Sequence, residues 1–297
     1  EPLDTPALEY MEILTGKAGE NEKLMYHFLD QGDREVGLRY DLTVPLARVV
    51  AMHQNDLVMP FKRYHVAPVW RAEKPQRGRF REFWQCDADT VGSASMMNEA
   101  EFIRIYDEAF FRLNLKVNIL INNRKILSGI AEVIGEPERL TDITVAMDKL
   151  DKIGRDKVEE EMRGKGISDK AIQQLSPIFE MKGSNEQQLG FLDDYLSESA
   201  TGRAGIAELR EVFAYFEGPD ALSLKQAELK LDLTLARGLN YYTGTIVEVK
   251  ARDLNFGSIG GGGRYDDLTG IFGLPGVPGA GISFGADRIY DILETLN

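Results

Sequence analysis

The sequence predicts an α+β fold, an antiparallel sheet flanked by helices with a helical insertion. Three observations lead there. Residues 71–89 read as two strands joined by a basic loop that holds Pro75 and Gly78. Residues 228–249 alternate apolar and polar side chains, the pattern of a half-buried sheet. Between them, residues 125–224 are rich in Glu, Lys and Gln, hold few aromatics and read as short helices.

Residues 1–123 mix strand-like and helical patterns. Met96 to Leu113 has helical spacing, with Ala100 and Ile103 on an apolar stripe, and Val117 to Ile121 reads as a strand. The Lys157–Arg163 run is a solvated helix face. Leu229, Leu231, Leu233 and Leu235 alternate with Lys230, Asp232 and Thr234 as one strand, and Thr243 to Val249 is its expected partner. The C-terminal stretch is Gly-rich and ends in a helix from about Ala286. Glycines 260–263 are expected at tight strand turns, giving backbone access to a ligand.

The hairpin carries the chemistry. Side chains alternate faces along a strand. Arg81, Phe83, Gln85, Asp87 and Asp89 therefore share one face, and Trp84, Cys86 and Ala88 form the other, expected to be the core face. Arg71 and Glu73 fall together on the first strand. Arginines offer forked donors to phosphate, Phe83 can stack on a purine, and Asp89 can pair with a cationic group. A solvated hairpin with surface ion pairs is the competing reading of this segment taken alone.

Composition narrows the field. A net charge of −13 argues against broad, non-specific nucleic-acid affinity. Yet Lys62, Arg63, Arg71, Lys74, Arg77, Arg79 and Arg81 cluster against a single acid, Glu73, which suits one specific nucleic-acid end or the phosphates of ATP. One cysteine leaves no internal disulfide framework and fits a reducing cytoplasm. No membrane span or secretory leader is expected. Three histidines and one cysteine give no zinc cluster, so no protein side chain is assigned to a metal. Phosphate-loop, dinucleotide and nucleophile-elbow patterns are absent.

Arg71-Ala72-Glu73, the loop and the return strand resemble motif 2 of class II aminoacyl-tRNA synthetases. Residues 281–289, Gly-Ile-Ser-Phe-Gly-Ala-Asp-Arg-Ile, resemble motif 3, and Thr5-Pro6-Ala7-Leu8-Glu9 the tail of motif 1. Ala-Arg-Gly-Leu-Asn-Tyr-Tyr-Thr at 236–243 and Gly-Gly-Gly-Gly-Arg-Tyr-Asp at 260–266 resemble the two signatures of histidyl-tRNA synthetases. The resemblance runs from about residue 5 to 292. It implies a class II-like catalytic domain at 1–124 and 225–297, with a helical insertion domain at 125–224.

The resemblance also implies a reaction: L-histidine and ATP form histidyl-adenylate and pyrophosphate, and histidine then passes to the 3′ end of tRNA(His). A carboxylate is already ionised at pH 7, so the first step needs orientation and charge stabilisation rather than a base. Arginines and Mg²⁺ supply that. By resemblance Arg71 contacts the α-phosphate, Glu73 meets the adenine amino group, Phe83 stacks on the ring, and Arg81 and Arg288 hold the β- and γ-phosphates. Arg237 stabilises charge at the α-phosphate and touches histidine. Asp41, Thr43 and Gln85 grip the amino and carboxylate groups, with Gln85 counted among the catalytic residues. Asp89 and Tyr242 take the imidazole nitrogens, and Tyr241 and Tyr265 line the cavity. Arg77 and Arg79 contact the tRNA acceptor end. Asn240 stands where the family often has Asp.

The same resemblance implies a cytoplasmic homodimer built through the motif 1 region. It also implies a piece of a longer protein, since the family adds an anticodon-binding domain after motif 3 and often a longer loop near Gly32-Asp33. The rival function is a non-catalytic paralogue, a regulatory subunit of histidine biosynthesis or an uncharged-tRNA sensor. Retention of Arg71, Arg237 and Arg288 argues against it.

Overall fold

A computed structural model describes residues 1–15, 19–219, 221–236, 241–252, 254 and 256–296. Three short strands, β1 (Leu8–Tyr10), β2 (His27–Leu29) and β3 (Glu35–Leu38), pair antiparallel in the order β1-β3-β2. The main sheet holds β4 (Phe61–Trp70), β5 (Glu82–Val91), β6 (Val117–Asn123), β7 (Glu228–Leu231), β8 (Thr245–Ala251), β9 (Gly260–Arg264) and β10 (Gly279–Gly285). Its order is β4-β5-β10-β9-β8-β6-β7, antiparallel except for the parallel β6–β7 pair. The α+β expectation holds, and the resemblance to a class II synthetase sheet extends to its antiparallel character.

The helices are α1 (Met11–Leu14), α2 (Thr43–Met52), α3 (Met97–Arg112), α4 (Arg124–Val133), α5 (Leu140–Met147), α6 (Leu150–Ile153), α7 (Arg155–Gly164), α8 (Asp169–Glu180), α9 (Asn185–Tyr195), α10 (Ala200–Ala214) and α11 (Ala286–Leu296). Side-chain caps fix several of their starts: Asn123 opens α4, Ser168 opens α8, and Ser184 with Gln187 forms a capping box on α9. Helices α4 to α10 all fall between β6 and β7. The apolar core continues unbroken from Ile119 and Val249 in the sheet through Ile126 and Ile143 to Leu175 and Leu209 in these helices. Where α4 meets α10, a Cβ on Gly129 would lie 2.6 Å from Gly202 Cα, so glycine permits the close crossing.

Several details differ from the sequence expectations. Strand β4 ends at Trp70, so Arg71 and Glu73 follow the strand rather than lie on it. One further backbone bond, Arg71 N–H to Arg81 O at 2.8 Å, holds the two chains together before they part. The ladder of β7 stops at Leu231 because Asp232 Oδ1 accepts from the Thr234 backbone and hydroxyl and turns the chain. Leu233 and Leu235 stay buried outside the strand. Strand β8 is not the partner of β7, for β6 lies between them. Glycines 260–263 lie inside β9, not at turns; a Cβ on Gly262 would lie 2.2 Å from Gly281 O on the neighbouring strand.

The two faces of β5 also reverse the expected roles. Asp87 and Asp89 on the polar face are buried, whereas Trp84 on the supposed core face is 47% exposed and Cys86 half-buried. The reason is the covering layer. Segment 40–47 and the tyrosines of 241, 242 and 265 roof the polar face, and Trp84 lies near the sheet margin beside β4.

Candidate active site

A cleft of ≈ 360 Å³ opens on the roofed face, between the start of α2, the loop after β4, strands β5, β9 and β10, and the start of α11. Arg71, Glu73, Arg79, Phe83, Gln85, Asp41, Thr43, Tyr241, Tyr242, Tyr265 and Arg288, all named from the sequence, line it. Residues separated by more than two hundred positions meet there because β10 pairs with β5 in the register Gly281↔Asp89 to Gly285↔Gln85.

The outer half is cationic. The Arg71 guanidinium stacks over the Tyr40 ring at 4.2 Å and the Phe83 ring at 5.1 Å. Arg288 is held by carbonyls: its Nε donates to Gly78 O at 2.6 Å and its Nη1 to Ser258 O at 2.7 Å. Burial, reinforced by Arg79 and Arg71, presses its guanidinium below its usual range. Among the described residues neither Arg71 nor Arg288 has a carboxylate within ion-pair distance, while Arg79 reaches Glu73 at 3.3 Å. Unpaired cations on a half-buried wall, with Arg288 in the first turn of α11, make a site for a polyanion.

The inner half is acidic and aromatic. Asp41 Oδ1 caps the Val44 N–H at 3.0 Å, and its Oδ2 accepts from the Tyr241 hydroxyl at 3.1 Å. Gln85 Nε2 donates to Ser283 Oγ at 2.6 Å. Tyr241 packs edge-on against both Tyr242 and Tyr265. Burial pushes the Asp41 carboxyl up.

Three sequence-named residues stand elsewhere, and a fourth lies outside the described residues. Asp89 is 2% exposed and lies behind the wall; its Oδ1 accepts from the Tyr265 hydroxyl at 2.6 Å and its Oδ2 faces Arg63 Nη2 at 2.8 Å. Arg81 is exposed beside the loop, its Nε turned to Glu73 O at 3.3 Å. Arg77 reaches away to Thr295 Oγ1 on α11 at 3.1 Å. Arg237, with Gly238, Leu239 and Asn240, lies outside the described residues.

The sequence reading gave no role to Asp87. It lines the cleft, is buried, and its Oδ1 has no hydrogen-bond partner. Burial, then the adjacent Asp89 charge, pushes its carboxyl up to about 7. The available signal was its place on the same strand face as Gln85 and Asp89. Arg264 was quoted only within a signature, yet its guanidinium is bidentate on Glu99 of α3 at 2.6 and 2.8 Å with both groups 2% exposed. It fixes β9 to α3, and so the strand end from which Tyr265 enters the cleft.

Among the described residues no three His, Cys, Asp or Glu side chains come together to hold a metal ion. No described helix is long and apolar enough to cross a membrane.

The sequence profile of histidyl-tRNA synthetases matches residues 1–289. The chain is 53% identical to a histidine–tRNA ligase of Porphyromonas gingivalis, over 99% of its own length and 69% of the relative's. It is 51% identical to one of Bacteroides fragilis, over 100% and 69%. A crystal structure of histidyl-tRNA synthetase from Nostoc sp. PCC 7120 superposes with a TM-score of 0.83 at 35% identity, covering 99% of this chain and 68% of that one.

Proposed function

The chain belongs to the histidyl-tRNA synthetase family and its activity is histidine–tRNA ligation; we propose that the roofed cleft is where both steps occur. Its division into a cationic outer half and an acidic, aromatic inner half carries this reading. One half suits a triphosphate and the other an amino acid bearing an ammonium and a heteroaromatic ring.

ATP enters the outer half. Phe83 supports the adenine, Glu73 accepts from its amino group, and Arg71 and Arg288 take phosphate oxygens. Arg81 joins them on the β- and γ-phosphates by turning from Glu73 O. Mg²⁺ accompanies ATP, bound by its phosphates, and offsets their charge. Histidine lies across the inner half. Asp41 and Thr43 hold the ammonium, Gln85 orients the carboxylate, and the ring sits among Tyr241, Tyr242 and Tyr265. Asp89 acts through Tyr265, whose hydroxyl it anchors. The carboxylate then attacks the α-phosphorus in line, Arg71 and Arg237 stabilise the charge that develops there, and pyrophosphate leaves. The terminal ribose hydroxyl of tRNA(His) attacks the acyl carbon in the second step, the bond from that carbon to the phosphate oxygen breaks, and AMP and the hydroxyl proton leave, with Arg77 and Arg79 receiving the acceptor end.

The inserted helices, residues 125–224, form a helical insertion domain on the catalytic domain of residues 1–124 and 225–297. A homodimer forms through the motif 1 region, where the small sheet leaves Leu8, Tyr10, Phe28 and Leu29 exposed. The protein works in the cytoplasm, where tRNA is charged. Incubation with ATP, labelled histidine and tRNA(His) tests the reading. Label should become acid-precipitable only with that tRNA; adenylate formation without transfer to tRNA would limit the function to the first step.

A further inference from the structure

Strand β6 runs directly into α4, so residues 122–125 are where the catalytic sheet passes into the inserted helices. Helix α10, the last of those helices, is fitted against this junction. A Cβ on Gly205 would lie 2.9 Å from Ile126 N and 3.0 Å from Lys125 Cβ, so α10 sits directly on the first turn of α4. Glu208, in the next turn of α10, spends both carboxylate oxygens there. Its Oε2 accepts from Asn123 Nδ2 at 2.7 Å, and its Oε1 accepts from Lys125 Nζ. Asn123 is itself buried and caps α4 by accepting the Lys125 N–H at 2.9 Å. The two residues that Glu208 grips flank Arg124.

Arg124 carries the junction toward the cleft. Its backbone N–H donates to Gly244 O at 2.8 Å, and its Nη1 donates to Ala236 O at 3.2 Å. Beside it, Asn122 Nδ2 donates to Leu235 O at 2.9 Å. One residue thus holds the chain just before and just after positions 237–243, the stretch that brings Tyr241 and Tyr242 to the cleft wall. Burial presses the Arg124 guanidinium below its usual range, and among the described residues no carboxylate stands within ion-pair distance to offset that. A desolvated charge without a counter-ion opposes folding. Stability therefore does not account for an arginine at this position, whereas its reach to Ala236 O does.

We infer that Glu208 and Arg124 are positioning residues for histidine activation, and that the insertion takes part in the first step through them. Helix α10 sets the junction, the junction sets both ends of segment 237–243, and that segment sets Tyr241 and Tyr242 on the histidine half. The described residues of the phosphate half come from elsewhere: Arg71, Glu73 and Phe83 from β5 and the loop between β4 and β5, and Arg288 from α11. The coupling is therefore to histidine and not to ATP. This role rests on the functional reading above, which places histidine against those tyrosines.

ATP–pyrophosphate exchange by the whole protein, with no tRNA present, tests it. Arg124→Met fills similar space, removes the unpaired charge and should keep the parental urea midpoint. Loss of its bond to Ala236 O should raise the KM for histidine about tenfold and leave that for ATP within about twofold. Glu208→Ala should show the same split, and Glu208→Gln, whose amide oxygen still accepts from Asn123, should restore most of the loss. In the double variant of Arg124→Met and Glu208→Ala, the rise should fall well short of the product of the single effects, since both act through one junction. Glu211→Ala, exposed on the same helix, should match the parent. An unchanged histidine KM in Arg124→Met, equal rises for both substrates, or independent effects in the double variant would overturn this role alone. No histidine-dependent exchange in the unmodified protein would overturn it together with the functional reading.

Discussion

Removing Glu99 should cost more than any surface charge in this protein. Its carboxylate takes two bonds from Arg264, at 2.6 and 2.8 Å, and both side chains are 2% exposed. In Glu99→Ala the guanidinium stays buried and keeps only Asp266 Oδ1 at 3.3 Å and the carbonyls of Ser93 and Ser95 at 3.5 and 3.1 Å. Breaking one side of a buried pair costs about 3–5 kcal/mol. The surviving Asp266 contact puts the expected loss near the lower end, about 3 kcal/mol, a large share of a total stability of about 5–15 kcal/mol. With a urea slope of about 3 kcal/mol/M, the unfolding midpoint should fall by about 1 M. Replacing both partners, Glu99→Leu with Arg264→Met, should recover most of it, since an apolar pair of similar volume carries no uncompensated charge. The single variant should also raise the KM for histidine more than that for ATP, because Arg264 precedes Tyr265 on the wall of the inner half. A midpoint within about 0.2 M of the parent, or a double variant no more stable than the single one, would refute the reasoning.

Other perturbations follow from the same geometry. Gly281→Ala places a Cβ 2.0 Å from Asp89 Oδ1, an atom already fixed by Tyr265 at 2.6 Å and belonging to a carboxylate paired with Arg63. Overpacking of this kind costs about 1–3 kcal/mol, and histidine affinity should fall with it; parental thermal stability and KM would show that the wall yields. Arg288→Ala should lower adenylate formation about 10²-fold while sparing histidine binding by calorimetry, because its donors face the phosphate half; equal losses in both would assign it a structural role. Asp87→Asn should shift the pH dependence of folding. The Asp87 pKa is raised to about 7, so its stabilisation is complete below the ordinary carboxylate range and lost as pH rises through about 7. The variant should therefore gain stability relative to the parent between about pH 4 and pH 7 and run parallel to it above; parallel urea midpoints across that whole interval would contradict the assignment.

Much of the cleft was legible because strand alternation and the signature residues agree. Arg71, Glu73, Phe83, Gln85, the tyrosines and Arg288 were all named from sequence and all line it. What the sequence hid depends on layers that come from far away in the chain. Alternation shows that Asp87 and Asp89 share a face with Gln85, but not that segment 40–47 roofs that face and leaves Trp84 outside. It could not rank Asp87 ahead of Asp89 as the acid that lines the cleft, since that follows from Arg63, the cross-strand neighbour of Asp89 on β4. Leu233 and Leu235 continued the pattern of β7, yet the local bond from Asp232 to Thr234 overrode it, and Asn122 then holds the carbonyls of both leucines. The place of β6 between β7 and β8 is a matter of topology that no local pattern encodes.

ATP–pyrophosphate exchange, run with each of the twenty amino acids in turn, tests the central claim most directly. Exchange should require histidine and be negligible with the others. Exchange driven equally well by another amino acid, or none with histidine although histidine binds, would contradict the assignment of this cleft to histidine activation.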